Sequence, residues 1–411
     1  MPFAVAGTIL QNNSRDLHTW EKNCIFYKRT MSDSTFQTVS LSFILRRRRI
    51  MKKKFLATAL SVMMAATLMT GCGAGDDKDN KSSVTSDDKS NQSDDNSGDD
   101  VITVGFSQVG AESDWRTANS QSMKSTFSEE NGYKLIFDDA QQKQENQITA
   151  IRNFINQEVD YIVLAPVTET GWDTVLQEAK DADIPVIIVD RMVDVSQDDL
   201  YTAWVGSNFK LEGQKACEWL KAYAEAKKID KINIVDIQGT IGASAQIGRT
   251  EALNDAVKAN GWNLLAQQTG EFTQAKGQEV MESMLKQHDD INVVYCENDN
   301  EAFGAIDAIE AAGKKVGPDG DILVMSFDTT KAGITDTLSG KIILNTECNP
   351  LHGPRVEEII KKLEAGETPD KQAYVDEGIY AHGADVAKVT VDGTDYDVTE
   401  VTQEVIDGRA Y

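Results

Sequence analysis

The chain has 411 residues, 40% hydrophobic and 26% charged, which leaves room for more than one buried core and excludes a disordered or fibrous protein. A formal charge of −25 makes nucleic acid and anionic lipid headgroups poor partners for the body. The charge is uneven: residues 1–50 hold eight Lys/Arg against three Asp/Glu, whereas residues 73–100 hold nine Asp against three Lys. A basic head on an acidic body marks a chain that is targeted and processed.

Met51-Lys52-Lys53-Lys54, the apolar run Phe55–Met69 and then Thr70-Gly71-Cys72 read as the basic, apolar and small-residue parts of a secretory signal. The apolar run is too short to span a ~30 Å hydrocarbon core comfortably. Leu68-Met69-Thr70-Gly71-Cys72 resembles a bacterial lipobox, with Cys72 as the lipid-bearing residue and Met69 where Leu is usual. Residues 1–50 fit nothing downstream, so translation is expected to start at Met51, with Arg46–Arg49 as a translated purine-rich ribosome-binding site. Residues 73–100 hold one aliphatic residue, Val84, and cannot bury enough apolar surface to offset their ordering entropy. They read as an acidic, disordered tether without EF-hand spacing.

From Val101 the pattern alternates. Strands are expected at Ile102–Ser107, Lys134–Phe137, Tyr161–Ala165, Pro185–Asp190 and Ala203–Val205. A second set follows at Lys231–Ile237, Asn263–Gln267, Val293–Cys296, Ile322–Ser326 and Lys341–Asn345. Helical patterns lie between, as at Gln144–Asn156, Gly171–Ala182, Leu211–Ala226, Ala245–Ala259 and Ala275–Lys286. Near-continuous apolar strands separated by helices predict parallel sheet covered on both faces. The alternation restarts after about residue 206, which predicts an α/β protein of two doubly wound parallel-sheet lobes.

In such sheets ligands sit beyond the carboxyl ends of the strands. The residues there are Ser107-Gln108, Asp138-Asp139, Pro166, Asp190-Arg191, Gln238-Gly239, Glu297-Asn298-Asp299 and Asp328. Asp, Asn and Arg at successive strand exits make a poor core but a good polyol site, with carboxylates accepting from hydroxyls and Arg and Asn donating. Singly they are ordinary turn formers and N-caps; as a set they favour a ligand. No nucleophile elbow, zincin, P-loop or G-x-G-x-x-G motif occurs in the body. The run Gly239–Ser244 lacks a Lys and a third Gly and reads as a tight turn with Ser244 as N-cap. His288, His352 and His382 lack ligand spacing, and Cys217, Cys296 and Cys348 show no metal or redox motif. No metal and no cofactor are expected.

Val104–Gly110 with Glu112-Ser113 and Trp115-Arg116 resembles the first strand and loop of sugar-binding proteins of bacterial ABC importers, most nearly the galactofuranose-binding ones. Gln141–Gln147, Ala165-Pro166-Val167, Thr170-Gly171-Trp172, Ile184-Pro185-Val186, Asp190-Arg191, Gln238-Gly239-Thr240, Gly242-Ala243-Ser244, Val280–Ser283 and Asn298-Asp299 extend the resemblance from Val101 to about His382. It implies the type I periplasmic-binding fold, two lobes joined by a three-crossing hinge that close on one sugar. Implied contacts are Glu112, Arg116, Asp190, Arg191, Arg249, Asn298 and Asp328, with Glu112 and Arg116 in the loop after the first strand. Trp115 stacks on the sugar or is a core Trp beside that loop. Departures are Thr329-Thr330 after Asp328 and Cys348-Asn349-Pro350 at the return crossing.

The implied lobes are 101–205 with 346–373 and 206–345 with 374–411, with crossings near Val205-Gly206, Thr346–Asn349 and Ala373–Val375. The implied function is a monomeric, lipid-anchored receptor on the extracytoplasmic face of the cell membrane, delivering a monosaccharide to an ABC permease. A sensor presenting sugar to a membrane signalling partner remains open beside it. A repressor would need a basic helix-turn-helix head in place of the signal. A glycosidase would need two carboxylates flanking one bond, which the adjacent Asp138-Asp139 do not supply.

Overall fold

A computed structural model describes residues 101–411; the expected leader, the signal with Cys72 and the acidic tether lie outside the described residues. Strands β1 (Ile102–Gln108), β2 (Tyr133–Asp139), β3 (Tyr161–Leu164), β4 (Val186–Val189) and β5 (Ala203–Gly206) are interleaved with helices α1 (Asp114–Thr126), α2 (Gln144–Asn156) and α3 (Asp173–Asp181). Together with β11 (Gln372–Tyr374) they form one parallel sheet in the order β11-β5-β4-β3-β1-β2. β3 and β4 read YIVL and VIIV and are buried at every residue. That is the expected result of covering a parallel strand on both faces.

The second lobe follows with α4 (Phe209–Lys227), β6 (Asn233–Gln238), α5 (Ser244–Asn260), β7 (Asn263–Thr269) and α6 (Gln274–Gln287). It continues through β8 (Val293–Cys296), α7 (Asp299–Ala311), β9 (Leu323–Asp328), α8 (Lys331–Ser339) and β10 (Leu344–Glu347). Helix α9 (Gly353–Glu364) then returns to the first lobe, where Val356, Ile359 and Ile360 join the core of Val104, Phe106 and Met123. The chain ends with β12 (Ile379–Ala381), β13 (Lys388–Val391), β14 (Thr394–Glu400) and α10 (Gln403–Gly408). The second sheet runs β13-β14-β12-β10-β9-β8-β6-β7. Its core is parallel as expected, but the alternation did not predict its far edge. There β12 lies antiparallel to β10, and β13–β14 form an antiparallel hairpin. The hairpin turns on Asp392-Gly393, both at positive φ (49° and 80°), the two-residue geometry that matches strand twist.

Three segments join the lobes: Ser207-Asn208 after β5, residues 348–352 after β10 and residues 375–378 after β11. The expected boundaries at 345/346 and 373/374 fall inside strands. β10 stays paired with β9 through Glu347, and β11 stays paired with β5 through Tyr374. A crossing can begin only where ladder pairing stops, so the breaks fall one or two residues later than the sequence suggested. The third crossing is bonded to the strand ends beside it: Val375 N donates to the Gly206 carbonyl of β5 at 2.9 Å, and the Gly378 carbonyl accepts from Glu347 N of β10 at 3.0 Å.

Candidate functional site

The strand exits of both lobes face one cavity. On the first-lobe side, Ser113 caps α1 by accepting from Arg116 N at 3.1 Å. The expectation that Arg116 lies in a loop is therefore corrected: it occupies the first turn of α1, four residues after Glu112. The helix fixes the pair, with Arg116 Nε donating to Glu112 Oε1 at 2.9 Å. Arg116 Nη1 lies 2.8 Å from Asp190 Oδ2, with all three side chains under 5% exposed. Burial alone would depress the Arg116 guanidinium, but the charges of Asp190 and Glu112 outweigh it and hold it above its ordinary value.

Asp190 leaves β4 at φ +63°, a left-handed conformation rare for a residue with a side chain. Its N–H donates to the Val205 carbonyl at 3.0 Å, and its own carbonyl accepts from Trp204 Nε1 at 3.2 Å. Gly206 lies so close that a Cβ there would come within 2.3 Å of the Asp190 carbonyl oxygen, so only glycine lets β5 hold Asp190 this way. Arg191 donates to the Val167 carbonyl at 2.9 Å and stands 5.1 Å over the ring of Phe272 from the other lobe. Its nearest carboxylates are 3.9 and 4.0 Å away, on Glu112 and Asp190. Burial, then the charge of Arg116, pull it down to about 10, which leaves it a cation at neutral pH.

The second lobe repeats the arrangement. Arg249, in the second turn of α5, donates from Nε to Glu212 Oε2 at 2.8 Å, donates to the Glu297 carbonyl, and lies 3.6 Å from Asp328 Oδ1. Its guanidinium sits between the rings of Phe209 and Phe327, with centroids at 5.4 and 4.7 Å. Asp328 ends β9 at φ +100°, the counterpart of Asp190. Burial pushes the Asp328 carboxyl well up, with Arg249 pulling the other way. Each lobe thus offers an arginine on a helix, set between a glutamate and a strand-exit aspartate in left-handed backbone.

All seven expected contacts and Trp115 line this one cavity. Asn298 does so with much of its amide engaged: Oδ1 caps α7 by accepting from Glu301 N, and Nδ2 donates to the Phe272 carbonyl at 3.1 Å. Trp115 is wedged into the wall, its Nε1 donating to the Cys348 carbonyl at 2.6 Å and its ring 4.6 Å from the Arg116 guanidinium. Glu112 Oε2 is buried without a hydrogen-bond partner among the described residues.

Phe209, Phe272 and Cys348 also line the cavity, and Glu212 stands behind it; the sequence reading missed all four. Asp138 and Asp139 close the edge strand β2 and do not line the cavity. Ser244 is not the cap of α5, as Ala243 holds that position without a side-chain bond. Ser244 Oγ instead reaches across the cleft to accept from Met192 N at 2.9 Å. Two further bonds cross between the lobes: Asp114 N to Asn300 Oδ1 at 3.0 Å and Glu169 N to the Gly242 carbonyl at 2.9 Å. Cys217, Cys296 and Cys348 are free and buried. His352 is a packing residue beside Asn119, pulled down to about 4 by burial.

An enclosed cleft between two α/β lobes joined by three crossings, with aromatic walls and convergent buried polar groups, defines a solute receptor of the periplasmic type. Residues 104–343 match the family model described as a periplasmic binding protein domain. The chain is 41% identical over 284 residues to the galactofuranose-binding protein YtfQ of Escherichia coli, covering 68% of this chain and 87% of that one. Among solved structures, one from Mycobacterium smegmatis in complex with β-D-fucofuranose is 43% identical with a TM-score of 0.65, covering 68% of this chain and 91% of that one. The binding protein of an arabinose ABC transporter from Shewanella sp. ANA-3, bound to α- and β-L-arabinofuranose, is 40% identical with a TM-score of 0.64, covering 68% and 92%. The chain belongs to the periplasmic binding protein family and has its type I fold. It is a solute-binding protein and not an enzyme.

Proposed function

We propose that the protein is a monomeric, lipid-anchored extracytoplasmic receptor that closes on one neutral furanose sugar and delivers it to an ABC permease. The two lobes, 101–206 with 353–374 and 209–347 with 379–411, form the clamp. Glu112, Arg116, Asp190 and Arg191 from the first, and Arg249, Asn298 and Asp328 from the second, contact the sugar. The observation that carries this reading is a carboxylate within 4.0 Å of every cavity arginine, hydrogen-bonded to Arg116 and Arg249 and at 3.9 and 4.0 Å from Arg191. Such pairs offer donors and acceptors to hydroxyls while leaving no free cation for an anionic ligand. The relatives whose names specify galactofuranose, fucofuranose and arabinofuranose favour the five-membered ring.

Thermal unfolding with methyl glycosides locked as furanosides or pyranosides tests the reading. A furanoside at ~100 times its dissociation constant raises stability by about 2.7 kcal/mol, whereas sugar phosphates and uronic acids leave the melting temperature unchanged. Stabilisation by pyranosides alone, or by sugar phosphates, would overturn it. The anchor has its own test. Each buried acyl CH₂ contributes about 0.8 kcal/mol, so two or more chains hold a protein firmly at the membrane. Cys72→Ser is expected to leave an unprocessed or mislocalised precursor; membrane fractionation and maturation like wild type would remove the lipobox from the account.

A further inference from the structure

The three crossings meet at one side chain. Glu377, in the third, accepts at Oε1 from Ser207 Oγ of the first at 2.6 Å and from Asn349 N of the second at 2.8 Å. Ser207 Oγ is also 3.3 Å from the Cys348 thiol. Against this knot stands Glu212 of α4, whose Oε2 holds the cavity arginine Arg249 at 2.8 Å while its buried Oε1 has no hydrogen-bond partner among the described residues. A ligand atom from each of Glu212, Cys348 and Glu377 lies within 4.8 Å of the others. Two carboxylates this close in a water-poor site cannot both stay ionised without large repulsion; one proton between them satisfies both.

We infer that Glu377 is a positioning residue for the sugar site: in the closed form its carboxyl shares a proton with Glu212, and through Glu212 it fixes Arg249 against the cavity. This rests on Arg249 being a sugar contact. The charged and titratable neighbours are Glu212 and Lys215 on α4, Arg249 on α5, Glu347 at the end of β10, Cys348 in the second crossing, and Asp376 beside Glu377 in the third. Lys215 Nζ donates to the Glu377 backbone carbonyl at 3.0 Å, and its charge attracts both carboxylates, working against the burial that favours the shared proton. Burial, then the charge of Glu212, raise the Glu377 carboxyl well above the usual range, and burial raises Glu212 against the pull of Arg249.

Opening the lobes lets water reach the pair and makes ionisation easier, so closure on sugar takes up a proton. The sign follows. A carboxyl pKa higher in the closed form than in the open one makes affinity greatest in acid and weaker as pH rises between the two values.

The test uses the full-length protein and Glu377→Gln, whose amide can donate to Glu212 as the shared proton does. With a furanoside at saturation and EDTA present, the melting temperature of E377Q is expected to gain on wild type as pH rises above the ordinary carboxyl range, because only wild type must hold a proton in the closed form. With a furanoside, wild-type Kd is expected to rise by up to about tenfold per pH unit, the limit for one linked proton. E377Q is expected to give a flat profile. Wild-type binding enthalpy should also differ between buffers of unlike ionisation heat, which needs no variant.

A melting gap that does not change with pH, or a wild-type Kd with neither pH dependence nor proton uptake, overturns the proposal. Read where the furanoside stabilises both proteins, the melting series bears on the shared proton alone. Unaltered binding by Arg249→Ala would overturn the reading of the site instead.

Discussion

Arg249→Ala is expected to lower the melting temperature by on the order of ten degrees and to abolish measurable sugar binding. Arg249 is among the largest side chains the fold buries completely, and its guanidinium serves Glu212, the Glu297 carbonyl and Asp328 together. Removing it strands two carboxylates away from water, a loss of roughly 3–5 kcal/mol. It also empties the space between Phe209 and Phe327. The loss should shrink in acid, since the stranded carboxylates can take protons, and burial already pushes both upward. Arg249→Lys keeps the charge but not the planar fork and should fall between the two. Calorimetric unfolding at neutral and acid pH, with titration of a furanoside, checks each part. A variant as stable as wild type would mean that Arg249 is not the counter-charge of this lobe.

Asp190→Ala should act on the other lobe with less damage to the fold. It leaves Arg116 with Glu112 as its one carboxylate, beside the Gln108 Oε1 at 3.3 Å, and deprives Arg191 of one of its two distant carboxylates. Unmatched buried donors cost about 1–3 kcal/mol each, so affinity should fall about tenfold to a hundredfold. Asp190→Asn keeps an acceptor and the left-handed backbone and should lose less. Isothermal titration distinguishes the three proteins. Equal affinity in all of them would place the sugar elsewhere.

How far the residues foretold this depends on which force shaped each element. The central strands were legible because burial on both faces leaves runs such as YIVL and VIIV. The strand-exit aspartates were legible because the ends of a doubly wound sheet are where polar residues have little structural reason to gather. Helix α1 was not. Its buried face is Trp115, Arg116, Asn119, Ser122 and Met123, mostly polar because it faces the cleft and the hinge, so it shows no apolar stripe. Glu212 was missed for a related reason. It sits 37 residues before Arg249 on another helix, and only tertiary packing tells such a glutamate from a solvated one. Asp392-Gly393 did carry a local hairpin signal between Val391 and Thr394, and the strand–helix alternation drew the reading past it.

The contacts that span the open side of the cleft are modest: Asp114 to Asn300, Met192 to Ser244 and Glu169 to Gly242, single hydrogen bonds each involving a backbone N–H. Each contributes about 0.5–1.5 kcal/mol net, so together they amount to a few kcal/mol. A clasp that light cannot trap its cargo. It adds enough grip to hold a sugar through diffusion, yet any surface that binds the outer faces of the lobes with comparable strength could pry it open. Unloading would then require no chemical energy from the receptor itself.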